Sequence, residues 1–258
     1  MGNCPQLGEN LVTYRLDMVM AIAGLWIQVW LLGVVWMAVY GDSASVNGID
    51  PRQAVSYAVL AACLQIALLP WHFSGLEMRV RKGQVGGDMT RPLGLVPQVL
   101  SHNVGTFLAQ LPIAAAGLAW AVLTGTLSLP PSIPTVPQWL LATLLGVVIV
   151  LLMNLLMSLT CFWSLETGGY NMLYRLGSGL LSGALVPLWF MPGWFAAVLD
   201  WLPFRAQMFT PLSIYFGQLD GTAAWLAIAG QVVWIAVLAG LIHVVWRRAE
   251  RRVVVLGG

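Results

Sequence analysis

Charged positions are sparse along this chain, and they divide it into long apolar runs. Residues 18–40 hold no charge, and 53–75 hold only His72 as an ionisable group. Residues 103–126 and 138–163 hold none, the shorter run 176–190 is charge-free up to Pro192, and 222–246 carry only His243. A helix crosses the ~30 Å hydrocarbon layer in about 20 residues. Barrel strands would need segments of about 10 residues with alternating polarity, which these runs lack. The pattern predicts an all-α integral membrane protein with six transmembrane helices, at 18–40, 53–75, 103–126, 138–163, 171–190 and 222–246.

Composition agrees with lipid as the solvent. The 258 residues are 59% hydrophobic and 9% charged, against about 25% charged in an average soluble domain. Too few ionic groups remain to solvate a globule of this size, which excludes an ordinary cytosolic enzyme, a nucleic-acid binder and a disordered chain. With the N-terminus cytoplasmic, six spans place Arg15, Arg79, Arg81, Lys82, Arg91, Arg175, Arg247, Arg248, Arg251 and Arg252 inside, and only Arg52 and Arg205 outside. The positive-inside rule favours that topology, with both termini cytoplasmic. No cleavable signal peptide is visible, and Gln6 stands where a myristoylation motif needs Ser or Thr. Cys4, Cys63 and Cys161 show no pairing pattern and read as reduced thiols. Residues 1–258 read as one membrane domain.

Two segments between spans stand out. The cytoplasmic stretch 76–102 holds Glu77, Arg79, Arg81, Lys82, Asp88 and Arg91, broken by Gly83, Gly86 and Gly87. Pro92 suits the first turn of a short, mostly apolar helix ending at Leu100. Docking under a partner or against the membrane surface is one reading of this stretch; a solvated loop whose basic flank fixes topology is the other. After the fifth span, Pro187 and Pro192 interrupt an apolar run, and a short helix over 195–202 is expected to stop at Pro203. Proline exposes carbonyls that lipid cannot satisfy. The fifth span is therefore expected to end early and the chain to turn back as a short outer-leaflet re-entrant hairpin, with Trp189, Trp194 and Trp201 at the interface. A kinked span followed by an interfacial helix is the other reading.

Most chemistry is missing. The phosphate-binding loop of an ATPase needs Gly-Lys-Ser/Thr, but the single lysine, Lys82, is followed by Gly83. ATP, if it drives this protein, is bound by a second polypeptide. No carboxylate lies within any span, so an ion relay is not favoured. His72, His102 and His243 fall on different segments without metal-ligand spacing, and no Gly-x-Ser-x-Gly nucleophile motif occurs. The in-span amides Gln28, Gln65, Gln110, Asn154 and Gln231 suit interhelical hydrogen bonds worth on the order of 1 kcal/mol each. Gly179-x-x-x-Gly183 and Ser178-x-x-x-Ser182 suit close helix packing, within a subunit or between subunits. Arg247, Arg248, Arg251 and Arg252 recur at helical spacing, as a topology anchor or a docking face.

The run from Val80 to Leu93 (VRKGQVGGDMTRPL) resembles the loop after the second span in bacterial permease subunits of the ABC-2 transporter class. Such loops read basic-x-Gly-x-(Ile/Val), then (Leu/Met)-x-Arg-Pro-Leu. Ser182-Gly183 through Pro187, Pro192 and Trp194, then Leu202-Pro203-Phe204 and Thr210-Pro211-Leu212 through Gly217, are also similar to that family. The Gly86-Gly87 pair departs from its more helix-friendly residues. The resemblance implies a permease subunit of an ATP-binding-cassette exporter in the inner membrane of a bacterium, working by alternating access. It implies a second permease, identical or related, two ABC ATPase subunits that carry the ATP and Mg, and no cofactor on this chain. It implies coupling to the ATPase through Arg81, Lys82, Gly83, Asp88, Arg91 and Pro92, and an outer hairpin marked by Pro187, Pro192, Trp194 and Pro203. The partners expected are these subunits and membrane lipid, with no nucleic acid. The competing readings are the substrate-binding membrane subunit of a vitamin or metal importer, an ion-coupled carrier, and a membrane-embedded enzyme.

Overall fold

The computed structural model describes residues 4–41, 45, 49–68, 76–82, 87, 94–128, 130, 135–164 and 168–256. Among them every regular element is helical: α1 (Cys4–Tyr40), α2 (Pro51–Leu68), α3 (Leu76–Arg81), α4 (Leu95–Leu123), α5 (Thr135–Leu159) with a 3-10 turn Thr160–Phe162, and α6 (Gly168–Leu181). A second 3-10 turn, Leu188–Phe190, leads to α7 (Gly193–Asp200), α8 (Pro203–Gln207), α9 (Phe209–Tyr215) and α10 (Gly221–Leu256). Among the described residues, four helical stretches are long and apolar enough to cross a membrane: Leu16–Tyr40, Leu95–Leu123, Thr135–Phe162 and Gly221–Arg251.

The two remaining expected spans differ from these four. The 53–75 run is helical over Pro51–Leu68, and residues 69–75 lie outside those described. Every residue from Ala54 to Cys63 is buried. An interior helix needs small side chains for close approach more than it needs high hydropathy, which suits Ala54, Ser56, Ala58, Ala61 and Ala62. The 171–190 run is corrected more sharply. Its helix stops at Leu181, and 14 residues reach only about 21 Å. The stop comes from Gly183, at φ +76°. Its N–H bonds Leu180 O at 3.2 Å and the N–H of Ala184 bonds Gly179 O at 3.1 Å, the Schellman pattern that an αL glycine closes. The chain therefore leaves the helix before either proline.

The third span is corrected at its start. The expected short helix to Leu100 and the span from 103 form one helix, α4, so the end of the presumed 76–102 loop is helical. Nothing between Leu100 and Asn103 breaks the ladder, and the Ser101 hydroxyl bonds Pro97 O at 2.8 Å, one turn back. In the segment after α6, Pro192 caps α7 and Pro203 opens α8 instead of merely ending the helix before it. A fixed φ is preorganised for a first helical turn.

The described backbone packs as two compact units. One contains α1, α2 to Ala67, and α4 from Gln110; the other contains α3, α4 to Ala109, and the chain from Pro130. In the first unit, Leu25 and Val29 of α1 pack with Val55, Val59 and Cys63 of α2 and with Ile113 and Ala121 of α4. Trp26 stacks on Trp120 at 4.7 Å, with its indole N–H on Ala116 O. In the second unit, α5 and α10 form the main helix pair.

Candidate functional site

Two clusters in the second unit are candidates for function. The first seats α3. A helix of six residues has no stability of its own, so it must be held by packing. Leu76 and Val80 share one face at i, i+4 spacing. Leu76, 1% exposed, enters a core with Leu95 and Val99 of α4, Leu155 and Leu159 of α5, Cys161 and Phe162 of the turn after it, and Ile242 and Ala249 of α10. Val80 packs on the same core, and Phe162 meets Trp246 edge-on at 6.1 Å. The short helix therefore rests chiefly on the end of α5 and the 3-10 turn after it, in a core that α4 and α10 share.

The second cluster is polar and buried. Ser178 of α6 donates to Gln207 Oε1 at 2.9 Å, and Gln207 Nε2 donates to the Met153 thioether of α5 at 2.7 Å. Gln231 of α10 donates from Nε2 to two carbonyls, Ala142 O at 2.9 Å and Ala206 O at 2.8 Å. Ser178, Gln207 and Gln231 are all buried. The contact is as close as it is because residue 146 has no side chain: a Cβ there would lie 2.6 Å from Gln207 O. Amides, a hydroxyl and a thioether bind helices together; at neutral pH they neither carry charge nor pass a proton. We expect Gln231→Leu to lower stability in detergent by about 1–2 kcal/mol, read as a lower thermal midpoint. An unchanged midpoint would show that the two carbonyls lose nothing.

The anticipated site residues fall as follows. Arg81 is the last residue of α3, and Lys82 follows it, exposed. Gly83, Asp88, Arg91 and Pro92 lie outside the described residues. Pro187 caps the 3-10 turn and is buried, whereas Pro192 is exposed at the cap of α7. Trp194 is 72% exposed, and Pro203 begins α8. Arg205 pairs with Asp200 and lies 5.0 Å over the Phe209 ring, tying α7, α8 and α9 together. Partial burial lowers its pKa from the ordinary arginine value. Of the five in-span amides, Asn154 and Gln231 are buried and Gln28 is exposed. Ser178 and Ser182 are buried within this chain. Gln207, Met153 and Gly146 were not anticipated. No local sequence signal singles out Gln207, which lies second in the continuously buried stretch 206–216.

The sequence profile of the ABC-2 family transporter proteins matches residues 25–257. The chain belongs to that family. No curated protein and no solved structure matches it. As an ABC-2 family protein it is a multi-pass membrane component of a transporter and not its catalytic ATPase; permeases of this family pair with ABC ATPase subunits. Of its two clusters, the seat under α3 lies beside the basic positions Arg79 and Lys82.

Proposed function

We propose that this ABC-2 permease is the membrane subunit of a bacterial ATP-driven exporter, paired with a second permease and two ATPase subunits. The observation that carries this reading is the seat of α3 against the end of α5 and the turn after it, in a core shared with α4 and α10. ATP binding and hydrolysis in the partner displace α3 and the glycine-containing segment after it, and the core under α3 passes that displacement to the spans. Two packings of the helices alternate, opening the path to one side and then the other. Six spans with both termini cytoplasmic, and an outer-leaflet hairpin built from the segment after α6, complete the arrangement. Substrate leaves through the permease interface.

The test is co-expression with a candidate ABC ATPase subunit of the same organism and reconstitution in lipid nanodiscs. We expect a stable complex whose ATPase rate rises over that of the ATPase alone. The double charge reversal Arg81→Glu with Lys82→Glu is expected to remove at least about tenfold of that stimulation, the loss of a few charge-assisted contacts, without altering membrane insertion. Failure to form a complex, or full stimulation by the double variant, would overturn the coupling reading.

A further inference from the structure

Within the first unit, α1, α2 and the turn after α4 enclose an open cavity of about 860 Å³, inside the ~300–1,000 Å³ range of small-molecule sites. One wall is an apolar stripe on α1: Trp30, Val34 and Met37, at i, i+4, i+7, are 64%, 49% and 57% exposed. The opposite lining is polar and mostly self-satisfied. Ser56 Oγ bonds the carbonyls of Arg52 and Thr126, and it accepts from both the N–H and the hydroxyl of Ser128 at 3.0 and 2.9 Å. These hydroxyls close a floor more than they recognise a ligand. The charged group of the cavity is Arg52, exposed in the first turn of α2.

We propose that this cavity binds an anionic phospholipid of the surrounding bilayer, with its phosphate on Arg52 and one acyl chain along Trp30, Val34 and Met37. Three features select that chemistry. A guanidinium at one end of an apolar trough complements an amphiphile whose charge is negative and terminal, and Arg holds phosphate oxygens bidentately. The positive end of the α2 dipole lies beside the same arginine and favours an anion there. The trough is also part of the apolar stretch Leu16–Tyr40, for which lipid is the ambient solvent. Gly33 leaves room at its base, since a Cβ there would touch only Val55, at 4.0 Å. The inference needs only that the chain lies in a bilayer, so it stands or falls apart from the coupling to an ATPase.

The experiment is native mass spectrometry of the purified protein from nanodiscs holding equal phosphatidylglycerol and phosphatidylcholine. We expect phosphatidylglycerol to be retained, Arg52→Ala to lower its occupancy at least about fivefold, and Arg52→Lys to restore part of it. Gly33→Leu, which fills the trough and leaves the arginine in place, is expected to lower occupancy as well. An Arg52-anchored site is overturned if wild type and Arg52→Ala retain the two lipids alike. It is equally overturned if the retained mass is an exported compound and not a phospholipid, or if Met37→Cys cross-links to a second copy with no lipid bound.

Discussion

Replacing Gly146 with alanine is expected to lower stability by about 2–4 kcal/mol, the cost of forced overpacking plus weakened buried hydrogen bonds. A Cβ at 146 would lie 2.6 Å from Gln207 O, 3.4 Å from Gln207 C and 3.5 Å from Ala206 O. All three are backbone atoms, so no side chain can rotate away. α5 and α8 would have to part. Parting them stretches the Gln231 bridge, which spans Ala142 O on one side and Ala206 O on the other, and it strains the chain of bonds from Ser178 through Gln207 to Met153. Thermal unfolding in detergent should show a midpoint lower by about 5–10 °C, taking the usual proportion for a chain of this size. Gly230→Ala is the control: it adds the same methyl next to Gln231, where nothing lies within 4 Å, and alanine is the better helix former. If both variants melt alike, the close approach at 146 is not a structural constraint.

Leu76→Asp should disconnect α3 from the rest of the protein. Leu76 is 1% exposed among apolar side chains of α4, α5 and α10. A carboxylate cannot stay there unpaired without a cost of several kcal/mol. The cheaper outcome is that α3 leaves its seat, since six residues have little to hold them once the anchor is gone. The long helices keep their own contacts, so insertion and the Gly146 region should be preserved. Stimulation of the partner ATPase should fall at least about tenfold, because a detached lever transmits nothing. Leu76→Met conserves volume and polarity and should stay near wild type. Stimulation by Leu76→Asp within twofold of wild type would mean that force enters the permease elsewhere.

Legibility varied with the distance over which each feature is encoded. The 138–163 run and the 222–246 run appear as α5 with its 3-10 turn and as α10, and the helix of α10 carries on through Arg247, Arg248 and Arg251 as their spacing implied. A run of apolar residues excludes every other backbone arrangement in lipid, so a local count suffices. Gly183 shows where local reading fails. In Gly179-x-x-x-Gly183 both glycines suit close helix contact, yet the second is the left-handed cap that ends α6. A glycine serves either purpose, and spacing does not choose between them. Gln231 could be singled out as a polar residue inside an apolar span, but its acceptors, Ala142 O and Ala206 O, come from remote segments.

The amino-acid sequence alone determined the solvent and the helical class. Each follows from composition or from adjacent residues, and each is a sum over local terms. Only the tertiary structure decided which faces are interior. In a soluble helix a polar face marks the outside; here the side toward lipid and the side toward protein are both apolar, as Leu144 at 63% exposure and Leu155 at 1% on the same helix show. Hydropathy cannot separate them. What separates them is shape: the bare backbone of Gly146 against Gln207, the fit of Leu76 in the core it shares with α4, α5 and α10, and the trough left open beside Gly33.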